Sequence, residues 1–175
     1  MYEVIIGIDP GIGGAVAVLD LRNGQKIARV FSVPTQNIVK KGKKKKDYDA
    51  AAMAKILAEY RGTRCLVVQE ATHAMPKQGT ASMYSFGRGA GLWEGIVAAL
   101  EMKQEFVLPV VWKKEWASTL LSIEKRLAKD KARELAKSLY SELEPEFARK
   151  KDDGKAEALL IAEYAGRHYN NEQSY

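Results

Sequence analysis

Val4-Ile5-Ile6-Gly7-Ile8-Asp9-Pro10-Gly11 opens the chain as an apolar, β-branched run that ends on a carboxylate and a turn. Apolar residues at successive positions, with no alternation, read as a strand covered on both faces, and Pro10-Gly11 stops it. Asp9 then lies at the strand's end, where side chains emerge into a crevice. Two more β-rich runs follow, Ala15 to Leu19 and Lys26 to Val33, separated by Gly11-Ile12-Gly13-Gly14 and by Asn23-Gly24, which predicts an antiparallel meander of three strands. Pro34 ends it. The polar, lysine-rich segment at about 37–47 reads as a flexible basic loop, since its like charges repel and nothing apolar anchors it.

Farther along, Ala50, Met53, Ala54, Leu57 and Ala58 recur at helical spacing, with Asp47 as the expected N-cap. Arg64 to Glu70 is a second buried strand ending on an acid. A helix is expected from about Ser82 to Met102. Another strand follows from Glu105 to Val111, with Pro109 tolerable only at an edge or end. Helices at about Lys113–Leu121, Glu124–Leu143 and Gly154–His168 complete the reading, with Ala128, Ala132, Leu135 and Leu139 as the packed face of the second. Strands first, then strand and helix alternating, imply an α/β domain: a mixed five-stranded sheet, three antiparallel strands then parallel ones, with helices on both faces.

The 175 residues, 46% hydrophobic and 29% charged, suffice for one core, so residues 1–175 are expected to form a single domain. No run approaches the roughly 20 apolar residues of a membrane span, and the N-terminus has no signal-peptide pattern, so a cytoplasmic protein without membrane contact is expected. Cys65 is the only cysteine, which excludes an internal disulfide and a thiolate cluster. His73 and His168, the only histidines, are too few for a histidine metal site. Trp93, Trp112 and Trp116 read as structural. The net charge of +6 is unevenly spread: Lys40, Lys41 and Lys43 to Lys46 share one window, and Arg126, Lys129, Arg133 and Lys137 share one helix face, a pattern that suits a polyanion.

Asp9 and Glu70 end strand-like runs in the same way. If those strands are neighbours, both carboxylates project from one edge of the sheet, and like charges that close need a cation. Clustered carboxylates suit Mg²⁺ or Mn²⁺, and a pair of such ions is what phosphodiester hydrolysis uses. Asp153 and Glu157, one turn apart on the final helix, share a face, and Gly154 allows that helix close to the sheet. Asp152 is one residue out of phase. Acids at a helix start also complement the macrodipole, and a strand-end acid can cap a neighbouring helix. Three separate elements delivering carboxylates to one place favour a site.

The chain also carries, in order, Ile6-Gly7-Ile8-Asp9-Pro10-Gly11 with Gly14-Ala15-Val16-Ala17; Val68-Gln69-Glu70; Pro76-Lys77-Gln78-Gly79 with Ser85-Phe86-Gly87-Arg88-Gly89-Ala90-Gly91; Pro109-Val110-Val111-Trp112-Lys113-Lys114; and Asp153-Gly154-Lys155-Ala156-Glu157-Ala158-Leu159-Leu160-Ile161-Ala162. Together these resemble RuvC-type Holliday-junction resolvases, in the style of their bacteriophage members. The resemblance implies an RNase H-like fold, a homodimer, and paired symmetric nicks across a four-way DNA junction that leave 5′-phosphate and 3′-hydroxyl ends. It implies a catalytic and metal-ligand set of Asp9, Glu70, Asp153 and Glu157 holding two Mg²⁺, with Mn²⁺ as a substitute and no small-molecule cofactor. Many cellular members end instead in two aspartates or a His and Asp pair, so Asp152 stands as the alternative fourth ligand.

DNA contacts are expected from Lys77, Arg88, Lys113 and Lys114 near the site and from Lys43, Lys44 and Lys45 farther out. Tyr84 and Phe86 fall where the resemblance places the junction centre, as candidates to stack on an unpaired base; core packing is the competing role for Phe86. Leu92, Ile96, Ala99 and Leu100 form an apolar face for a dimer contact or for covering the sheet. An actin-like ATPase needs a second phosphate-binding lobe that 175 residues cannot hold. A non-catalytic junction-binding protein leaves the acids unexplained. A nuclease for RNA–DNA hybrids or other branched DNA shares the acidic core and remains the alternative.

Overall fold

The computed structural model describes residues 1–40, 42–71, 79–116 and 125–171, the side chains of 125–127 and 171 excepted. Five strands form one sheet: β1 (Val4–Asp9), β2 (Ala15–Asp20), β3 (Ile27–Ser32), β6 (Cys65–Glu70) and β7 (Lys103–Val107), in the order β3-β2-β1-β6-β7. The first three pair antiparallel, while β6 runs parallel to β1 and β7 parallel to β6. This is the mixed sheet the alternation of elements implied.

Both faces are covered, which is why β1 shows no polar alternation. Val4, Ile6 and Ile8, with Val16, Val18 and Val67, face α1 (Ala50–Ala58) and α2 (Thr80–Ala99) in a core that includes Met53, Leu57 and Trp93. Ile5, with Ala17, Leu66 and Val68, faces the long C-terminal helix α5 (Asp153–Asn171), whose Ala158, Ile161, Ala162 and Ala165 are fully buried. Gly7 lets that helix ride directly on β1, because a Cβ there would lie 2.3 Å from the Ala158 carbonyl oxygen. No helix among the described residues is long and apolar enough to cross a membrane.

Several boundaries differ from the sequence reading, each for a local reason. The segment expected as a flexible basic loop is a two-stranded antiparallel hairpin, β4 (Thr35–Lys40) and β5 (Lys43–Tyr48). Backbone pairing does not depend on the lysine side chains, Gly42 supplies the positive φ of the turn, and Tyr48 anchors the far end at 2% exposure. Because β5 extends to Tyr48, Asp47 is a strand residue, and the cap of α1 is Asp49, whose carboxylate accepts from Ala52 N–H at 3.0 Å. Pro109 begins a helix, α3 (Pro109–Lys114), where its missing N–H and fixed φ are favourable, so β7 stops at Val107. The helix α4 (Lys125–Leu139) buries Ala132 and Ala136, with Leu135 half-buried, Leu139 exposed and Tyr140 closing the face. A 3₁₀ segment (Ser141–Phe147) follows it. On α2, Leu92 and Ile96 pack against the core, as does Leu100 just after it, while Ala99 stays exposed.

Candidate active site

Strand alternation decides where the acids point. Asp9 is in phase with Ile5 and Gly7, and Glu70 with Leu66 and Val68, so both carboxylates leave the sheet on the face covered by α5. In the parallel β1/β6 register Ile8 stands opposite Gln69, which puts Asp9 beside Glu70 one residue later. The start of α5 presses onto the turn after β1: a Cβ at Gly154 would lie 2.6 Å from the Gly13 carbonyl oxygen. Asp153 and Glu157, in the first turns of that helix, thereby descend on Asp9.

The electrostatics register this convergence. Burial, then the nearby Glu157 carboxylate and Asp153, push Asp9 from its ordinary 3.8 up to about 7, although the Gly11 N–H partly offsets this. Burial, then Asp9 and Glu157, push Glu70 from 4.5 up to about 8. Two lysines answer the charge. The Lys113 ammonium donates to Glu157 Oε1 at 3.1 Å, and Lys129, on α4, is ion-paired with Asp153. Lys129's own affinity for its proton rises through that bond, so it stays charged. The Trp112 indole N–H is buried and draws the Glu70 pKa down, yet among the described residues no acceptor closes a hydrogen bond with it.

An all-oxygen donor set with an excess of buried negative charge is the chemistry of a hard divalent cation. Among the described residues, however, no group of three or more acids, histidines or cysteines is gathered closely enough to hold a metal. Glu157 and Asp153 are turned onto Lys113 and Lys129 instead. The donors suit a divalent ion in kind, and in this arrangement the two ammonium groups occupy part of the cation's electrostatic role.

Asp152 is placed elsewhere. It is 3% exposed, and Arg149 takes both of its oxygens while the Arg149 N–H donates to it as well, which holds its pKa below the ordinary carboxylate range. It caps a short 3₁₀ turn (Lys150–Asp152) rather than facing Asp9.

Of the residues expected at DNA, Lys113 lies in the acidic crevice and Lys114 is exposed beside it. Lys43, Lys44 and Lys45 are exposed on the hairpin, and Tyr84 is 70% exposed on α2. Phe86 is half-buried, its ring 3.5 Å from where a Gly11 Cβ would be, and Arg88 is ion-paired with Asp47. Lys77 and His73 lie outside the described residues. On the basic face of α4, Lys129 turns to Asp153, Arg133 to Asp130 and Lys137 to Glu144, so its charge is largely answered within the chain.

Spacing marked Lys129 only as part of a basic face and Trp112 read as structural; their places beside Asp153 and Glu70 depend on neighbours far away in the chain. Gln69 had a local signal: a polar residue in the apolar run of β6, fully buried, its amide donating to the Ala90 carbonyl at 3.4 Å and accepting from Gln104 at 3.1 Å. It ties β6 to α2 and β7 beside Glu70.

No protein-family model matches the chain, and no curated protein matches it by sequence. Among solved structures it is similar to Thermus thermophilus RuvC in complex with a Holliday junction substrate, with a TM-score of 0.57 and 16% identity over 95% of this chain and 96% of that one. A second Thermus thermophilus RuvC structure aligns with a TM-score of 0.57 and 16% identity over 97% and 96%. At that identity the likeness establishes architecture: the chain has the RNase H-like α/β fold, in the form found in RuvC.

Proposed function

We propose that this protein is a divalent-metal-dependent endonuclease that resolves four-way DNA junctions by paired symmetric nicks, acting as a homodimer. The reading rests on Asp9 and Glu70 at neighbouring strand ends, buried and pushed far above their ordinary pKa, with Asp153 and Glu157 at the start of α5 near enough to add to the Asp9 shift. A fold gains nothing from mutually repelling, buried carboxylates; a phosphodiesterase needs them. The RuvC likeness adds that this architecture accommodates a Holliday junction in another protein.

Asp9, Glu70, Asp153 and Glu157 would hold Mg²⁺ or Mn²⁺, which when bound lower the pKa of a water and stabilise the leaving oxygen. The chain's own residues do the rest. Asp9 and Glu70, fixed at strand ends by the sheet, would give the cation a rigid floor. Asp153 and Glu157 form the opposite wall. Lys113 and Lys129, released from their carboxylates as those turn inward, are placed to meet the phosphate's negative charge. No covalent nucleophile is required.

The test is cleavage of a labelled synthetic four-way junction beside a linear duplex and an RNA–DNA hybrid, with Mg²⁺, Mn²⁺ or chelator, for wild type and Asp9→Asn. Symmetric, metal-dependent nicks confined to the junction and lost in the variant are expected. Cutting of the hybrid alone would make the protein a ribonuclease, and tight junction binding without cleavage would make it a binding module.

A further inference from the structure

Lysine charge in this protein is distributed in two ways. Lys129 and Lys137 on α4 and Lys113 at the crevice are met by carboxylates. On the β4–β5 hairpin the lysines are not: among the described residues, Lys40, Lys43, Lys44, Lys45 and Lys46 make no ion pair, and in the hairpin register Lys40 stands directly opposite Lys43. Like charges facing each other across a strand pair are destabilising, a cost that a polyanion on the hairpin would remove.

The hairpin does not wave free. Its base is fastened to α2 by the Arg88–Asp47 ion pair and by the Tyr48 hydroxyl, which donates to the Ser85 carbonyl at 3.0 Å. Between hairpin and helix lies a cleft of about 820 Å³, lined by Ile38, Lys40, Lys45, Lys46 and the Arg88-paired Asp47 on one side and by Tyr84 and Arg88 on the other. Cations along one wall and an exposed aromatic ring on the other match a strand whose bases are unpaired. A duplex would offer phosphates but hide the base faces from Tyr84. The base of the hairpin is near the crevice, since the same Tyr48 hydroxyl lies 3.5 Å from the Pro10 carbonyl, next to Asp9.

We infer that the β4–β5 hairpin and the first half of α2 form a groove that binds one DNA strand, distinct from the carboxylate crevice and leading toward it. The inference rests on the nucleic-acid reading of the site but not on its catalysis. Lys40, Lys45 and Lys46 contact phosphates, Tyr84 and Ile38 contact a base, and Arg88 holds the hairpin in position.

The experiment is fluorescence anisotropy of labelled oligodeoxythymidylate and of a duplex of equal length, on the full chain with chelator present, across a salt series. The variants are Lys40→Ala/Lys45→Ala/Lys46→Ala, Tyr84→Ala, and a charge-matched control, Lys55→Ala/Lys150→Ala/Lys151→Ala, each checked for unchanged melting. The hairpin triple is expected to weaken single-strand binding by about tenfold or more and to lower the log–log salt slope by about 2. Tyr84→Ala should weaken it by about tenfold with the slope unchanged, and the control should stay near wild type. Equal losses in the two triples, or duplex bound as tightly as single strand with no effect of Tyr84→Ala, would overturn the groove. Junction cleavage on the same proteins separates the two readings. A wild type that cuts while the hairpin triple binds and cuts equally well removes the groove alone, and a wild type that never cuts yet shows these binding losses keeps the groove and removes the nuclease.

Discussion

Asp9 and Glu70 are costly to the folded state without a cation. Their folded pKa values, about 7 and about 8, lie above the ordinary 3.8 and 4.5, so between those limits the folded chain binds more protons than the unfolded one. Stability from these groups is therefore greatest at the low end of the window and falls as pH rises through it. In chelator, the melting temperature should rise as pH is lowered from about 8 to about 5. Asp9→Asn should raise it at pH 7 by the equivalent of roughly 1–3 kcal/mol while abolishing cleavage. A melting temperature independent of pH in that range would show that the carboxylates do not share the crevice in solution. Asp152 predicts the opposite behaviour. With both oxygens on Arg149 and its pKa depressed, it stabilises the fold at neutral pH and loses that contribution only as pH falls below the ordinary carboxylate range. Because Arg149 is exposed, Asp152→Ala should cost only about 1 kcal/mol and leave metal-dependent cleavage intact, as measured by melting and by junction nicking.

At the level of elements, the site depends on how closely α5 approaches β1. Gly7 and Gly154 are the two contact points: one admits the helix backbone over the middle of the strand, the other admits its first turn over the Gly13-Gly14 loop. Gly7→Ala forces a methyl group into helix backbone, which cannot yield as a side-chain tip could, and should cost about 3 kcal/mol in denaturant unfolding. An alanine tolerated there without loss of stability would mean that the helix sits farther from the sheet. The hairpin shows the limit of reading elements from composition. Repelling lysines suggested an unstructured loop, but Gly42 at the turn and Tyr48 in the core organise the backbone, and the side chains simply project from it.

For the whole molecule, a net charge of +6 says less than where the charge is unanswered. Lys137 belongs to the regularly spaced basic face of α4, yet it is paired with Glu144, whereas the hairpin lysines have no such partner among the described residues. Lys137→Ala should leave the salt dependence of DNA binding unchanged within error, in a titration of binding against ionic strength. A fall in slope comparable to that of a hairpin substitution would show that helical spacing, not pairing, marks the binding surface.

How much of this was legible beforehand follows the range of the interactions involved. Asp9, Glu70, Asp153 and Glu157 could be read from local pattern, because a carboxylate at the end of an apolar run, or two at one-turn spacing, carries its position with it. The mixed sheet and its two covered faces followed from the same periodicity, whereas the adjacency of β1 and β6 emerges only in the packed sheet. Helix spacing favoured Asp153, in phase with Glu157, and the resemblance kept Asp152 as the alternative; the packed chain gives Asp152 to Arg149 and brings Asp153 near Asp9. That Lys113 and Lys129 meet Glu157, 44 residues away, and Asp153, 24 residues away, had no local mark, because only folding brings those carboxylates within reach of their ammonium groups. Charge is a property of the sequence, but its neutralisation is a property of distance, and distances between remote residues exist only once the sheet and helices have packed.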